Sequence, residues 1–250
     1  MRIGLLCSDT LNEFRQKTLI PILGDKQFEV KVALVDKRPK PTIRQKIIKN
    51  LKRGRGGYII IMAIKKLFFK RDREMDVTEF CRRHNIEVLA IPEPYADSTI
   101  EKIKALSLDI LILIGGYGII KKKLLKVTPR GVLSYHHGDM RKYRGMPPGL
   151  WELYNNEEEM GITVQILNPG LDSGIPILEK KIHIQKHDRP STLRQRALKE
   201  SVDMLHEALL KLVDEDFVPQ KIKNFGRVYT LPNLKQWIIL NFKLWRRWLS

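Results

Sequence analysis

Cysteine is scarce in this chain: Cys7 and Cys81 are the only two. They supply neither the framework of a disulfide-stapled domain nor the four ligands of a structural zinc site, and such scarcity suits a reducing cytosol. Long apolar runs are also missing. None reaches the roughly 18 residues of a membrane-spanning helix, and Met1-Arg2-Ile3 leads into a strand-like run rather than a secretory signal, so a cytoplasmic location is expected. Acidic residues are the third deficit. Only 28 Asp and Glu face 46 Lys and Arg, and the net charge of +18 asks for an anionic neighbour: nucleic acid, lipid headgroups or phosphorylated small molecules. With 43% apolar and 30% charged residues over 250 positions, the rest is ordinary globular composition, which excludes whole-chain disorder and low-complexity architectures.

The positive charge is concentrated. Between Lys37 and Glu74 there are fourteen basic residues against two acidic ones, +12 of the +18. Ile43, Ile47, Ile48 and Leu51 recur among these cations at helical spacing. After Gly54-Arg55-Gly56-Gly57 come Tyr58 to Ile64 and Leu67-Phe68-Phe69, so the pattern predicts two basic amphipathic helices joined by a glycine hinge. Trp237 to Leu249 forms a second segment of this kind, with aromatic and aliphatic residues over more than one helical face and cations near its end. Such a helix suits an anionic membrane surface, and it equally suits packing on the domain or on a second subunit of an oligomer. Nucleic acid fits less well, because no recognisable nucleic-acid module accompanies the charge.

The remainder alternates short apolar runs with helical patterns. Strands are expected at Ile3–Cys7, Phe28–Val35, Glu87–Ile91, Asp109–Ile114, Gly131–His136, Ile162–Leu167 and Ile177–Ile184. Helices are expected at Leu11–Leu23, at Val77–His84 behind Asp76, at Thr99–Leu106 behind Ser98, at Lys121–Val127 and, as one long element, at Pro190–Val213. This order predicts an α/β fold: a Rossmann-like, mostly parallel sheet with helices on both faces. The expected division is a catalytic domain over 1–214 that contains the basic insertion 37–74, then a linker and Trp-rich helix over 215–250, with Pro219–Pro232 as the linker.

Residues with chemical potential gather near Gly131–Pro148 and Asn168–Gly174. On a strand ending at His136, Ser134 and His136 face one way and Tyr135 and His137 the other, so the adjacent histidines are not a metal pair. Open α/β sheets place ligands at the carboxyl ends of their strands, and a glycine-rich turn can return Asp172 to that edge. Ser134, His136 and Asp172 together suggest acyl-type transfer, in which a hydroxyl stabilises an oxyanion, an imidazole handles a proton and a carboxylate orients it. A serine-hydrolase reading is unsupported, since no Gly-x-Ser-x-Gly elbow occurs.

Gly131 to Gly145, Pro147-Pro148, Trp151, Gly161-Ile162-Thr163-Val164 and Leu171-Asp172-Ser173-Gly174, taken in order, resemble the folate-dependent formyltransferase family. That family includes the glycinamide ribonucleotide, methionyl-tRNA and sugar N-formyltransferases. The resemblance implies that a formyl group passes from 10-formyltetrahydrofolate to a primary amine. It makes His136 and Asp172 catalytic. It also makes the backbone of Gly116, Tyr117, Gly118, Ile119 and Ile120 the lining of a pterin pocket, closed by the Asn168, Gly170 and Leu171 turn. One position departs: Ser134 stands where the family has an asparagine whose amide holds the oxyanion, and His137 and Asp139 are the neighbours able to compensate.

About 65 residues follow Ile184, fewer than the domain with which methionyl-tRNA formyltransferases grip tRNA. The expected acceptor is therefore a small amine such as a nucleotide sugar, handled in the cytoplasm or peripherally at the inner membrane face. The alternatives are a catalytically idle binding module and an RNA-directed enzyme of the methionyl-tRNA kind.

Overall fold

A computed structural model describes residues 1–52 and 74–249. In chain order the first half contains β1 (Arg2–Cys7), β2 (Thr10–Asn12), α1 (Glu13–Gly24), β3 (Glu29–Asp36), α2 (Ile43–Leu51), β4 (Glu74–Asp76), α3 (Val77–Arg83), β5 (Glu87–Ile91), α4 (Asp97–Ala105), β6 (Ile110–Leu113) and α5 (Lys122–Leu125). The second half contains β7 (Val132–His136), β8 (Tyr143–Gly145), α6 (Leu150–Tyr154), β9 (Glu159–Ile166), β10 (Ile175–His183), α7 (Pro190–Glu200), α8 (Met204–Val213), β11 (Arg227–Tyr229) and α9 (Leu234–Leu249).

Seven strands form the main sheet in the order β10-β9-β7-β6-β1-β3-β5. The five from β7 to β5 are parallel, and β9 and β10 run antiparallel at one edge. Alternation along the strands sends residues to two cores, one on each face: Ile3, Leu5 and Cys7 of β1 join one, and Leu6 joins the other with Val32, Leu34, Ile100 and Leu111. The expected Rossmann-like architecture is therefore observed. Strand order reverses between β1 and β6, and the carboxyl ends of these strands define the crevice where such sheets place ligands. Gly116 lies in this crevice at φ +92°, where a Cβ would come 2.9 Å from the Ser8 amide nitrogen.

Several expected elements are corrected. The helix expected from Leu11 begins at Glu13, because Thr10–Asn12 pairs with β4 and the Asn12 side chain caps the Arg15 amide at 3.1 Å. Ser98 is not a cap: α4 starts at Asp97 behind Ala96, and the Asp97 carboxylate instead meets Lys123 at 2.6 Å. Asp76 does cap α3, accepting from the Thr78 and Glu79 amides. The single helix expected over Pro190–Val213 is broken at Ser201. The Tyr135 hydroxyl donates to the Ser201 carbonyl at 2.5 Å and accepts from the Leu205 amide at 3.0 Å, so it bridges the two groups a continuous helix would have joined.

The expected linker contains β11, which pairs in parallel with β8. The terminal helix packs on the domain: Leu240 and Leu244 are buried, Lys243 donates to the Tyr154 carbonyl at 2.6 Å, and Arg247 donates to the Ile184 carbonyl at 2.8 Å. Of the two basic helices expected in the insertion, the first is α2, with a Thr42/Gln45 capping box. The glycine hinge and the second helix lie outside the described residues.

The Tyr135 bridge predicts that Tyr135→Phe destabilises the protein by about 1–3 kcal/mol, the cost of stranding a buried carbonyl and amide. A urea-unfolding midpoint shifted down at unchanged slope will show this.

Candidate active site

β7 carries Ser134 and His136 to the carboxyl edge of the sheet on one face, both more than nine-tenths buried. The His136 Nε2 lies 2.8 Å from the Tyr143 carbonyl, and its Nδ1 lies 3.4 Å from Asp172 Oδ1. A carbonyl only accepts, so Nε2 carries a proton and Nδ1 faces the carboxylate. Asp172 is held in turn by the Gly145 amide, which donates to its Oδ2 at 2.7 Å. Its φ of +46° is a left-handed conformation that Asp adopts more readily than most residues.

The electrostatics follow from this geometry. Burial opposes charge on His136, yet the Asp172 carboxylate, the Tyr143 carbonyl and the buried Glu152 outweigh it and raise its pKa. Burial likewise opposes charge on Asp172, but His136, the Gly145 amide and Arg144 together lower its pKa. The two side chains thus favour an imidazolium–carboxylate pair. Glu152, on α6, is 2% exposed, and burial pushes its pKa up to about 7. Sequence reasoning missed it, because in Leu150-Trp151-Glu152-Leu153-Tyr154 an acid among apolar residues reads as the wet face of a helix.

Among the described residues the Ser134 hydroxyl makes one hydrogen bond, 3.4 Å to the Tyr135 carbonyl, which is near the limit and leaves the group free to turn. Neither neighbour compensates for the missing asparagine. His137 is on the opposite face, stacked on Tyr135 at 5.5 Å and hydrogen-bonded to the Ser201 hydroxyl at 3.3 Å. Burial, with the charges of His136 and Arg194, drives its pKa down to about 3, so it stays neutral. Asp139 accepts from the Arg141 amide and pairs with the Arg141 guanidinium.

The segment 116–120 divides in two. The side chains of Tyr117 and Ile120 are buried in the second core, where the Tyr117 hydroxyl donates to the Leu34 carbonyl at 3.0 Å. Gly116, Gly118 and Ile119 are exposed, a Cβ at Gly118 would meet nothing within 4 Å, and no amide from Gly116 to Ile120 donates a hydrogen bond among the described residues. This bare, unsatisfied backbone fits the edge of a flat heterocycle. Asn168, Gly170 and Leu171 are exposed on the turn before Asp172, and Arg144 donates to the Leu171 carbonyl at 3.3 Å.

The cavity beside His136, walled by Arg144 to Pro148, Trp151 and Glu152, holds about 10 Å³, so the space on that side of the ring is closed. Larger clefts flank it. One of about 380 Å³ is lined by Asp139, Glu152 and Glu157 to Glu159, and one of about 350 Å³ by Asn12, Phe14, Lys17 and Arg194. Arg15 lies close by with its guanidinium where a Cβ on Gly115 would sit, and it has no ion pair among the described residues.

A mostly parallel sheet thus carries an imidazole and its carboxylate at its carboxyl edge, with a rotatable hydroxyl on the same strand. The chain belongs to the formyl transferase family, whose model matches residues 24–209. Among its relatives is the methionyl-tRNA formyltransferase of Caldanaerobacter subterraneus subsp. tengcongensis, 28% identical over 181 residues, 69% of this chain and 58% of that protein. That of Trichlorobacter lovleyi is 32% identical over 144 residues, 58% of this chain and 46% of that protein. The chain spans about half the length of these relatives. Among solved structures it shares its fold with glycinamide ribonucleotide transformylase 1 of Symbiobacterium toebii (TM-score 0.60, 18% identity, 89% of this chain and 94% of that one). It also shares it with the N-formyltransferase of Helicobacter canadensis in complex with folinic acid and dTDP-3-aminofucose (TM-score 0.63, 14% identity, 100% of this chain and 81% of that one).

The His136 contribution to stability is complete below its unfolded value, about 6.5, and is lost as pH rises through the higher folded value. The Asp172 contribution is complete above about 3.9 and is lost as pH falls through the lower folded value. The pair therefore stabilises most between about pH 4 and 6.5. Asp172→Asn is expected to lower the His136 pKa, read from the imidazole resonances in a pH titration by NMR.

Proposed function

We propose that the chain transfers the formyl group of 10-formyltetrahydrofolate to the primary amine of a small substrate, with an amino-sugar nucleotide as the leading acceptor class. The observation that carries this reading is the His136–Asp172 pair, 3.4 Å apart at the ligand edge of a formyl transferase sheet. The unsatisfied amides of Gly116 to Ile119 supply the edge contacts a pterin needs, with the exposed Ile119 and Leu171 as apolar walls. When bound, the folate supplies an activated formyl carbon. The residues of the chain then do the rest: Asp172, facing Nδ1, fixes the His136 ring and its charge beside the carbonyl oxygen, and Ser134 turns a hydroxyl toward the same oxygen.

A small anionic acceptor is supported by Arg15 and Arg194, neither in an ion pair among the described residues, beside the 350 Å³ cleft. Burial and the Arg194 charge lower the Arg15 pKa, the condition a diphosphate between them would relieve. The closed cavity and Ser134 favour, as a second reading, a folate-binding module without turnover. The deciding experiment is calorimetry with 5-formyltetrahydrofolate, followed by formyl transfer to nucleotide amino sugars, glycinamide ribonucleotide and methionyl-tRNA. Transfer to an amino sugar, reduced about 10²–10⁴-fold by His136→Ala, is expected. Binding without transfer to any amine selects the second reading, and transfer to methionyl-tRNA alone replaces the small acceptor with RNA.

The reading extends to an anionic bilayer as the surface where the chain works. Leu234, Ile238, Phe242, Trp245 and Leu249 are 51–68% exposed and recur at i, i+4, i+8, i+11 and i+15, a single stripe along α9 opposite Leu240 and Leu244. The inner face of the helix is fixed to the domain, and the Arg189 guanidinium stacks on Trp248 at 4.4 Å. α9 contains no acidic residue, and Lys235 and Arg246 are exposed beside the stripe. α2 repeats the pattern with exposed Ile43, Ile47, Ile48 and Leu51. Apolar stripes rimmed by cations complement anionic headgroups, each basic residue near the surface contributing about 1 kcal/mol. The chain is expected to float with phosphatidylglycerol vesicles but not with phosphatidylcholine ones, less so at high salt. Ile238→Ser/Phe242→Ser/Trp245→Ser should weaken flotation at least about tenfold, since burying such side chains is worth about 1.5–3 kcal/mol each. A dimer held by the stripe, or RNA binding indifferent to the triple variant, counts against it.

A further inference from the structure

We propose that Gln165 is a catalytic residue of this chain: its carboxamide supplies the oxyanion donor that Ser134, in place of the family's asparagine, provides only weakly. The inference rests on the formyl-transfer reading above.

Gln165 is 0% exposed, in the middle of β9. In the antiparallel pairing of β7 with β9 it is directly opposite Ser134, and Thr163 is opposite His136, so Gln165 and Ser134 share the face that carries the imidazole. Its two amide atoms are in different situations. Oε1 accepts from the Gly174 amide at 2.9 Å, and Nε2 makes no hydrogen bond among the described residues. The Gly174 amide can only donate, so the atom it meets must be oxygen and the free one must be the NH₂.

A buried donor without a partner is rare in a native fold and calls for an explanation. The explanation lies in its neighbours. Gly174 is two residues after Asp172, so the bond that fixes the Gln165 oxygen also ties the amide to the turn carrying the catalytic carboxylate. A Cβ on Gly174 would sit 2.5 Å from that oxygen, which is why a side chain has no room there. The NH₂ is thereby preorganised on the reacting face with its desolvation already complete, the condition under which a donor acts on an oxyanion without reorganising.

The step balances as follows. The amine nitrogen bonds to the formyl carbon as the carbonyl pair moves onto oxygen, where Gln165 Nε2–H and the Ser134 hydroxyl meet it. The pair then returns as the bond to the donor nitrogen breaks, and the proton lost by the amine ends on that nitrogen. Formamide and tetrahydrofolate are the products.

Three measurements test this. In the unsubstituted chain, the Gln165 side-chain NH₂ resonances should move downfield when 5-formyltetrahydrofolate is added. Gln165→Glu keeps the acceptor for Gly174 and removes the donor, and Gln165→Met removes both. Each should lower kcat about 10²-fold while the KM for the folate changes less than about threefold. Ser134→Asn placed in the Gln165→Met background should recover at least about tenfold in kcat, a rescue that a purely structural glutamine would not allow. Unmoved NH₂ resonances while the amides of residues 116–120 shift, full kcat in either variant, or a loss that Ser134→Asn does not repair each overturn the assignment. A chain whose 116–120 amides do not move and which transfers no formyl group overturns the underlying reading instead.

Discussion

The contact between His136 Nε2 and the Tyr143 carbonyl, 2.8 Å long, settles the protonation of the ring and with it the orientation of everything at the carboxyl edge. With that nitrogen committed, Nδ1 is the one left to face Asp172. Both partners of the ring then trace to one short element. β8 contributes the Tyr143 carbonyl to the imidazole and the Gly145 amide to the carboxylate. β8 is itself held by β11, from a stretch of chain eighty residues further on. Gly145, at φ +89°, has Tyr229 so close that a Cβ would lie 2.1 Å from its carbonyl oxygen. The segment between the sheet and the terminal helix is therefore a wall beside the His136–Asp172 pair, and the Trp151 indole, donating to the Thr230 carbonyl at 3.0 Å, fastens the same wall to α6.

Much of this was legible in the sequence, for identifiable reasons. The central strands read clearly because parallel strands covered on both faces are continuous apolar runs, as in Ile110-Leu111-Ile112-Leu113. Alternation alone separated His136 from His137, and the structure places them on opposite faces, one beside Asp172 and one beside Tyr135. Elements that depend on partners distant in sequence were illegible. Nothing local announces that the Tyr135 hydroxyl interrupts a helix seventy residues away, or that Arg227–Tyr229 becomes a strand, because neither segment has a periodicity of its own. Glu152 and Gln165 escaped for a related reason: their importance comes from burial, and burial of a polar residue is a tertiary fact.

The chain divides its cations by task. Those near the sheet are tied into the fold: Lys37 and Lys40 both reach Asp9, and Arg38 grips Asp36 while lying over the Tyr117 ring at 5.7 Å. Arg38 also donates to the Tyr117 carbonyl at 2.8 Å and so sets the segment that lines the crevice. Lys235 and Arg246 instead have no such contacts among the described residues and lie beside an apolar stripe. Charge excess by itself said only that an anion is near. The pairing pattern separates cations that build the site from those left for a surface.

In the proposed oxyanion site, serine at position 134 is shorter than the asparagine whose place it takes, and the sheet geometry offers a way to make up the difference. Directly opposed residues on antiparallel strands have Cβ atoms about 4.5–5.5 Å apart, so a longer side chain on β9 reaches the space that a shorter one on β7 vacates. The exchange works only because β7 and β9 are antiparallel and in this register. A shift of one residue would put Val164 opposite Ser134 and turn the amide to the other face. On the Gln165 proposal, the antiparallel edge of an otherwise parallel sheet is a functional feature. It sets a second polar side chain beside the first, so that in this proposal the donor set is redistributed between two strands while the imidazole and its carboxylate remain in place.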